Sequence, residues 1–208
     1  PGLPDTWLHL PVPEQVGHLA RLHAADPVAA LDRLGEVWGS ASAKDRSAYL
    51  QVFAGKPDPA DEDFLDAALD DRAATVRLDA ARQLERHPGS ARAHRMADRL
   101  HGLISTPRAL LRRTVAVALP EDPDPPAVRD GLGPAPKGRS VRGHHLAQIV
   151  AGAPLSVWQD ATGMSPTTIL MHLSDRDAAT EDVRAGLHRA AVAQQDRAWA
   201  RALLDDGL

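Results

Sequence analysis

Residues 61–88, DEDFLDAALDDRAATVRLDAARQLERHP, constrain the fold more than any other part of this chain. Phe64, Leu65, Ala68 and Leu69 recur at helical spacing in the first half of the segment. Val76, Ala80, Ala81 and Leu84 do so in the second. An aspartate-rich turn joins the halves. Asp71 is placed to cap the second helix, its side-chain oxygen accepting a backbone N–H that the helix leaves unpaired. His87-Pro88-Gly89 then stops that helix. A helical hairpin this short cannot bury its own apolar stripes and has to stack on similar neighbours. The segment therefore predicts an all-α solenoid of helical hairpins.

The rest of the chain supplies such neighbours. A helix is expected over 13–24. Asp26-Pro27 starts a second, since aspartate caps and proline in the first turn has no N–H to lose. Ser42 caps a third over 43–54, and Ser90 caps another over 91–104. Residues 113–119, RTVAVAL, alternate like a short strand or extended piece. Residues 120–140, PEDPDPPAVRDGLGPAPKGRS, are dense in proline and glycine and read as a linker. Helical patterns resume at 141 and continue through 165–173, 175–194 and 196–204. The expected organisation is a helical block over 1–112, an extended Pro-rich linker over 113–140, and a second helical block over 141–208, the two blocks being either separate or one continuous domain. Residues 70–77 echo residues 174–184 with three residues inserted, which is either a trace of repetition or coincidence in an Ala/Arg/Asp-rich chain.

Composition removes several classes of function. The chain has no cysteine, which excludes disulfides, thiolate catalysis and Cys-ligated metal centres. Aromatic residues make up only 3%, so alanine and leucine have to carry the core, which suits closely packed helices. No apolar run approaches the roughly 20 residues that span a bilayer, and a cytoplasmic location is the expectation. Pro1 is not a natural start, so the chain is expected to be either a fragment of a longer protein or a renumbered one. Lysine occurs only at Lys44, Lys56 and Lys137, a bias toward arginine that fits a GC-rich genome.

Four groups of residues invite a chemical reading. Residues 133–140, GPAPKGRS, imitate a phosphate-binding loop. Arg139 stands where its lysine belongs, and Pro134 and Pro136 remove backbone donors, so the stretch reads as linker. His94, Asp98 and His101 share a helical face opposite the Met96/Leu100/Leu103 stripe, so they face solvent. Asp58, Asp61, Glu62, Asp63, Asp66, Asp70 and Asp71 form an acidic run, expected as a solvated face. From 72 to 113 the chain has ten arginines against Asp79, Glu85 and Asp98. In a solenoid, alternate helices line opposite surfaces. Arg72, Arg82, Arg86, Arg92, Arg95 and Arg99 are therefore the candidate interaction surface. Trp38, Trp158 and Trp199 lie within apolar helical patterns and are expected in the core.

Residues 65–84, LDAALDDRAATVRLDAARQL, resemble a HEAT repeat. Leu65 and Leu69 match its first helix, Asp71 its turn, and Val76-Arg77, Ala80, Ala81 and Leu84 its second. The resemblance implies that Asp71 and Arg77 keep neighbouring repeats in register. Residues 58–72, 84–91, 156–158 and 162–166 together resemble the C-terminal part of an uncharacterised actinobacterial family, a domain of unknown function. Its genes often lie near those of a MoxR-type AAA+ ATPase, a von Willebrand A protein and a SWIM zinc-finger protein. That resemblance implies a protein partner, an AAA+/von Willebrand A assembly, and carries over no catalytic residue.

The expected function is thus a non-enzymatic scaffold or adaptor, with no cofactor, no metal and no catalytic group. The alternative is a HEAT-type nucleic-acid-binding or DNA-repair protein that grips phosphates through the arginine surface.

Overall fold

The computed structural model describes residues 7–109, 112–173 and 179–207, and the fold is all-α, with only two-residue strands beside the helices. The chain forms two compact units, Pro1–His87 and Pro88–Leu208.

The first unit opens with a 3₁₀ turn, Trp7–His9, followed by α1 (Val12–Ala25), α2 (Pro27–Trp38) and α3 (Ala43–Tyr49). A second 3₁₀ turn, Leu50–Ala54, leads to the hairpin α4 (Asp61–Ala68) and α5 (Ala74–Leu84). Asp26 caps α2 as its position before Pro27 implies, accepting from the Ala29 N–H at 3.0 Å. Ser42 likewise accepts from the Asp45 N–H at the start of α3. α4 packs on α5, and α5 packs on α3, so the hairpin does stack on a neighbour. Leu19, Leu34, Leu50, Phe53, Leu65, Leu69, Val76 and Leu84 fill the core between them. The Phe64 ring meets Trp38 edge-on at 4.9 Å and Phe53 at 5.6 Å.

Asp71 has a different role from the cap expected of it. Ala73 occupies the cap position of α5. Asp71 accepts from the Ala73 N–H at 2.8 Å, which tightens the turn two residues ahead of the helix. Its carboxylate also receives Nε of Arg46 at 2.6 Å and a terminal guanidinium nitrogen at 2.9 Å. This planar two-point pair ties the hairpin turn to α3. Arg77 donates to the carbonyls of Asp71 and Arg72 in the same turn. Burial alone would raise the Asp71 carboxyl, but the hydrogen bonds from Arg46 and Ala73 and the nearby Arg46 and Arg72 charges hold it below the ordinary value. The pair therefore stabilises the unit above the usual aspartate range and loses that effect as pH falls through the lowered value. Asp71→Ala should lower the melting temperature clearly. Asp79→Ala should not, because the Asp79–Arg82 pair is wide, 3.5 Å, and on the surface. Thermal unfolding of both variants checks this; equal shifts would contradict it.

The second unit begins with α6 (Ala91–His101). Two small antiparallel pairs follow: β1 (Ile104–Ser105) with β4 (Ala116–Val117), and β2 (Arg108–Ala109) with β3 (Arg112–Arg113). Ile104 lies opposite Val117. The helices α7 (Pro125–Arg129), α8 (Val141–Gly152), α9 (Ser156–Thr162), α10 (Pro166–His172), α11 (Thr180–Ala193) and α12 (Arg197–Asp205) complete it. The most extensive helix contact is α8 on α11, across two glycines, Gly143 and Gly186. Trp158 and Trp199 are fully buried, with ring centres 6.3 Å apart.

These units differ from the blocks expected over 1–112, 113–140 and 141–208. α6 packs on α8 and α9, and its Met96 and Leu100 join the core of Leu146, Ile149 and Trp158. Residues 113–140 are built into the same unit: Val115, Val117, Ala127 and Leu132 are buried in that core. The reason lies in the local signals within the proline-rich stretch. Asp124 caps α7 through the Ala127 N–H, with Pro125 at the first helical position. Gly131, at φ 98°, closes it, with Gly131 N–H bonded to Val128 and Leu132 N–H to Ala127. Of the repeat echo at 174–184, residues 174–178 lie outside the described residues.

Candidate functional site

The helix spacing of Arg92, Arg95 and Arg99 puts all three on one face of α6. In the fold that face meets the C-terminal end of α7, where Asp130 is fully buried. Arg92 is 2% exposed and donates Nε to the Asp130 carbonyl at 2.8 Å. Arg95 approaches both carboxylate oxygens, at 2.6 Å from its terminal nitrogen and 2.9 and 3.0 Å from Nε. Arg99 donates to the second oxygen at 2.7 Å. One aspartate thus collects three guanidinium groups from one helix.

This corrects the expected arginine surface. Arg92 faces the interior, and Arg95 and Arg99 turn toward a buried carboxylate, which offers each a stronger and drier partner than water. Arg86, in the first unit, is half-buried and donates to the Gly55 carbonyl. Arg72 and Arg82 remain exposed. The missed residue is Asp130. Its signal was present in the capping residues Asp124, Pro125 and Gly131, which mark a helix ending there.

Beside this cluster lies an open cleft of about 320 Å³. Leu103, Ala127, Leu132 and Ile149 contribute its apolar lining, and Glu121, Asp122 and Asp124 its carboxylates; Arg99 is the one cation among them. Its wall is fixed from two sides. Arg142 of α8 donates to the carbonyls of Pro120 and Leu119, at 2.6 and 2.9 Å. The Ala118 N–H bonds to Leu103 at 3.0 Å.

The first unit holds a second buried polar group. His23 Nε2 lies 2.6 Å from Asp61 Oδ1, and both side chains are buried. The Asp58 N–H donates to the other oxygen at 3.0 Å, and His87 Nε2 stands 3.9 Å from it. Asp61 and Asp71 therefore depart from the solvated acidic face expected of their run. Asp61 is drawn inside because α4 begins against α1, where His23 is waiting. Burial pushes the His87 imidazole below its ordinary value, Arg86 adds to that, and Asp61 opposes it. Unfolded chains take up this proton as pH falls below about 6.5, while the folded unit resists it, so stability declines as pH drops through that range. His87→Gln should flatten the fall in urea midpoint between about pH 7 and 5. An unchanged slope would remove His87 as its cause.

The remaining sequence candidates have simple positions. Ser140, at the end of the loop that imitates a phosphate-binding motif, caps α8 through the Gly143 N–H. Arg139 pairs with Asp182 at 2.9 Å. His94, Asp98 and His101 are exposed. Among the described residues, no three His, Asp or Glu side chains are grouped so as to hold a metal, and no helix is long and apolar enough to cross a membrane.

Over residues 1–207 the chain matches the model of a family of unknown function, DUF5691. No curated protein and no solved structure matches it.

Proposed function

The chain belongs to the DUF5691 family, whose function is unknown, and we propose from its own residues that it is a non-enzymatic scaffold or adaptor, a HEAT-like stack of helical hairpins that docks another protein. One observation carries this reading: three charged clusters brought together in the interior are engaged within themselves. Arg92, Arg95 and Arg99 meet Asp130, Arg46 meets Asp71, and His23 meets Asp61. The cleft, by contrast, offers apolar side chains and solvent-exposed carboxylates. Such a surface recognises by shape and charge; it has no nucleophile paired with a base. The partner class implied by the resemblance is an AAA+/von Willebrand A assembly in the cytoplasm. The nucleic-acid alternative has less to stand on, because three of its six arginines are turned toward Asp130 and away from any phosphate backbone.

Affinity capture of the full-length parent from its native host, at low and moderate salt, separates the two. Recovery of an AAA+ or von Willebrand A protein at both salts is the expected result. Recovery of nucleic acid alone, lost at moderate salt, would overturn the docking reading.

A further inference from the structure

We propose that the cleft between α6, α7 and residues 118–124 binds a peptide segment that carries one bulky apolar side chain beside lysine or arginine. The inference rests on the docking reading and names the site and the chemistry of its occupant.

The volume, about 320 Å³, is at the small end of the roughly 300–1,000 Å³ of ligand sites and suits one or two side chains more than a large cofactor. Leu103, Leu132 and Ile149 give an apolar lining that a single aliphatic or aromatic anchor would cover. The charge of the lining selects the flanks of that anchor. Three carboxylates face one guanidinium, and that guanidinium is already bound to Asp130 at 2.7 Å. Glu121 and Asp122 are exposed and have no ion pair among the described residues. A cation placed beside the anchor gains their attraction without displacing an internal partner, whereas an acidic segment meets repulsion. A second copy of the chain is a poorer occupant, since it carries a net charge of −4.

The wall is preorganised, which lowers the ordering cost of binding. Arg142 holds the carbonyls of Leu119 and Pro120, and Asp124 is fixed by its cap on α7. Glu121 and Asp122 lie on the rim of this fixed wall, so reversing their charge changes recognition and leaves the core intact.

The test is selection of a random 12-residue phage-displayed peptide library on the full chain and on an E121K/D122K variant whose circular dichroism and melting temperature match it. The expected result is enrichment of sequences with an apolar residue next to lysine or arginine. A synthetic peptide of the enriched sequence should then bind the variant at least about tenfold more weakly by fluorescence anisotropy, a difference worth about 1.4 kcal/mol. Enriched peptides that bind both proteins equally would overturn the cleft while leaving the docking reading in place. Enrichment of acidic sequences, or of none, would overturn the proposed occupant, and the host capture experiment then judges the docking reading by itself.

Discussion

Asp130→Ala should destabilise the second unit by about 3 kcal/mol or more, the range expected when one partner of a buried charge pair is removed. The carboxylate is fully buried, and it is the shared acceptor of Arg95 and Arg99. Without it, guanidinium groups are left against the C-terminal end of α7 with no counter-charge from that residue. The loss should fall toward the lower end of the usual range of about 3–5 kcal/mol. Arg95 is 35% exposed and can rehydrate, and the bond from Arg92 goes to the Asp130 backbone and survives the substitution. Asp130→Asn separates charge from packing: it keeps the shape and some hydrogen bonds, and should cost less than alanine only if geometry contributes beside charge. Urea unfolding followed by tryptophan fluorescence reads this unit in a W7F/W38F background, since Trp158 and Trp199 are in its core and Trp7 and Trp38 belong to the first unit. A cost below about 1 kcal/mol for Asp130→Ala, the level of a surface pair, would mean that Arg95 and Arg99 are not held by this carboxylate.

Gly186→Ala should also destabilise, against the usual direction for a helix interior. A Cβ at this position would stand 2.6 Å from Val150 Cβ and 2.8 Å from the Ala147 carbonyl oxygen. Neither neighbour is the end of a flexible side chain, so α11 has to move off α8. Overpacking of this kind costs about 1–3 kcal/mol, and the helix propensity of alanine over glycine returns at most about 1. The first effect wins, and Gly186→Val, larger and β-branched, should destabilise further than Gly186→Ala. Gly35 of α2 provides the control. Nothing lies within 4 Å of its would-be Cβ, so Gly35→Ala should stabilise by about 0.5–1 kcal/mol. Opposite signs at the two glycines, measured by denaturant unfolding, are the expected outcome; stabilisation at both would contradict the close approach of α8 and α11.

Helix boundaries differ in how legible they are in the sequence. Asp26-Pro27, Ser42 and Ser90 mark helix starts at the positions where the structure has them. Such caps act within four residues, so the local sequence contains the whole interaction. The same physics was available at Asp124-Pro125 and Gly131, but the surrounding prolines and glycines made the stretch look like a linker. Two opposite roles share this composition: proline and glycine break a helix in its middle and define it at its ends. Ser165-Pro166 shows the favourable case, a start signal with no competing prolines nearby.

Charge was legible as an inventory and illegible as a partnership. The acidic run and the arginine-rich stretch can be read off the chain, but Asp61, Asp71 and Asp130 find His23, Arg46 and the α6 arginines at separations of 25 to 38 residues. A carboxylate has no sequence signature of being buried. It goes inside only where a distant partner and a packed interface compensate its lost hydration, and that is a property of assembled helices.

The sequence by itself determined that the chain is helical, where most helices begin, and which apolar stripes form the core, because 3.6-residue periodicity and capping are local. The tertiary structure alone decided that α6 belongs with the second unit, that three of the six candidate arginines converge on Asp130, and that an acid-rimmed apolar cleft opens beside them. Those outcomes depend on which surfaces meet after the chain has closed loops tens of residues long, and the balance of burial against hydration is settled only there.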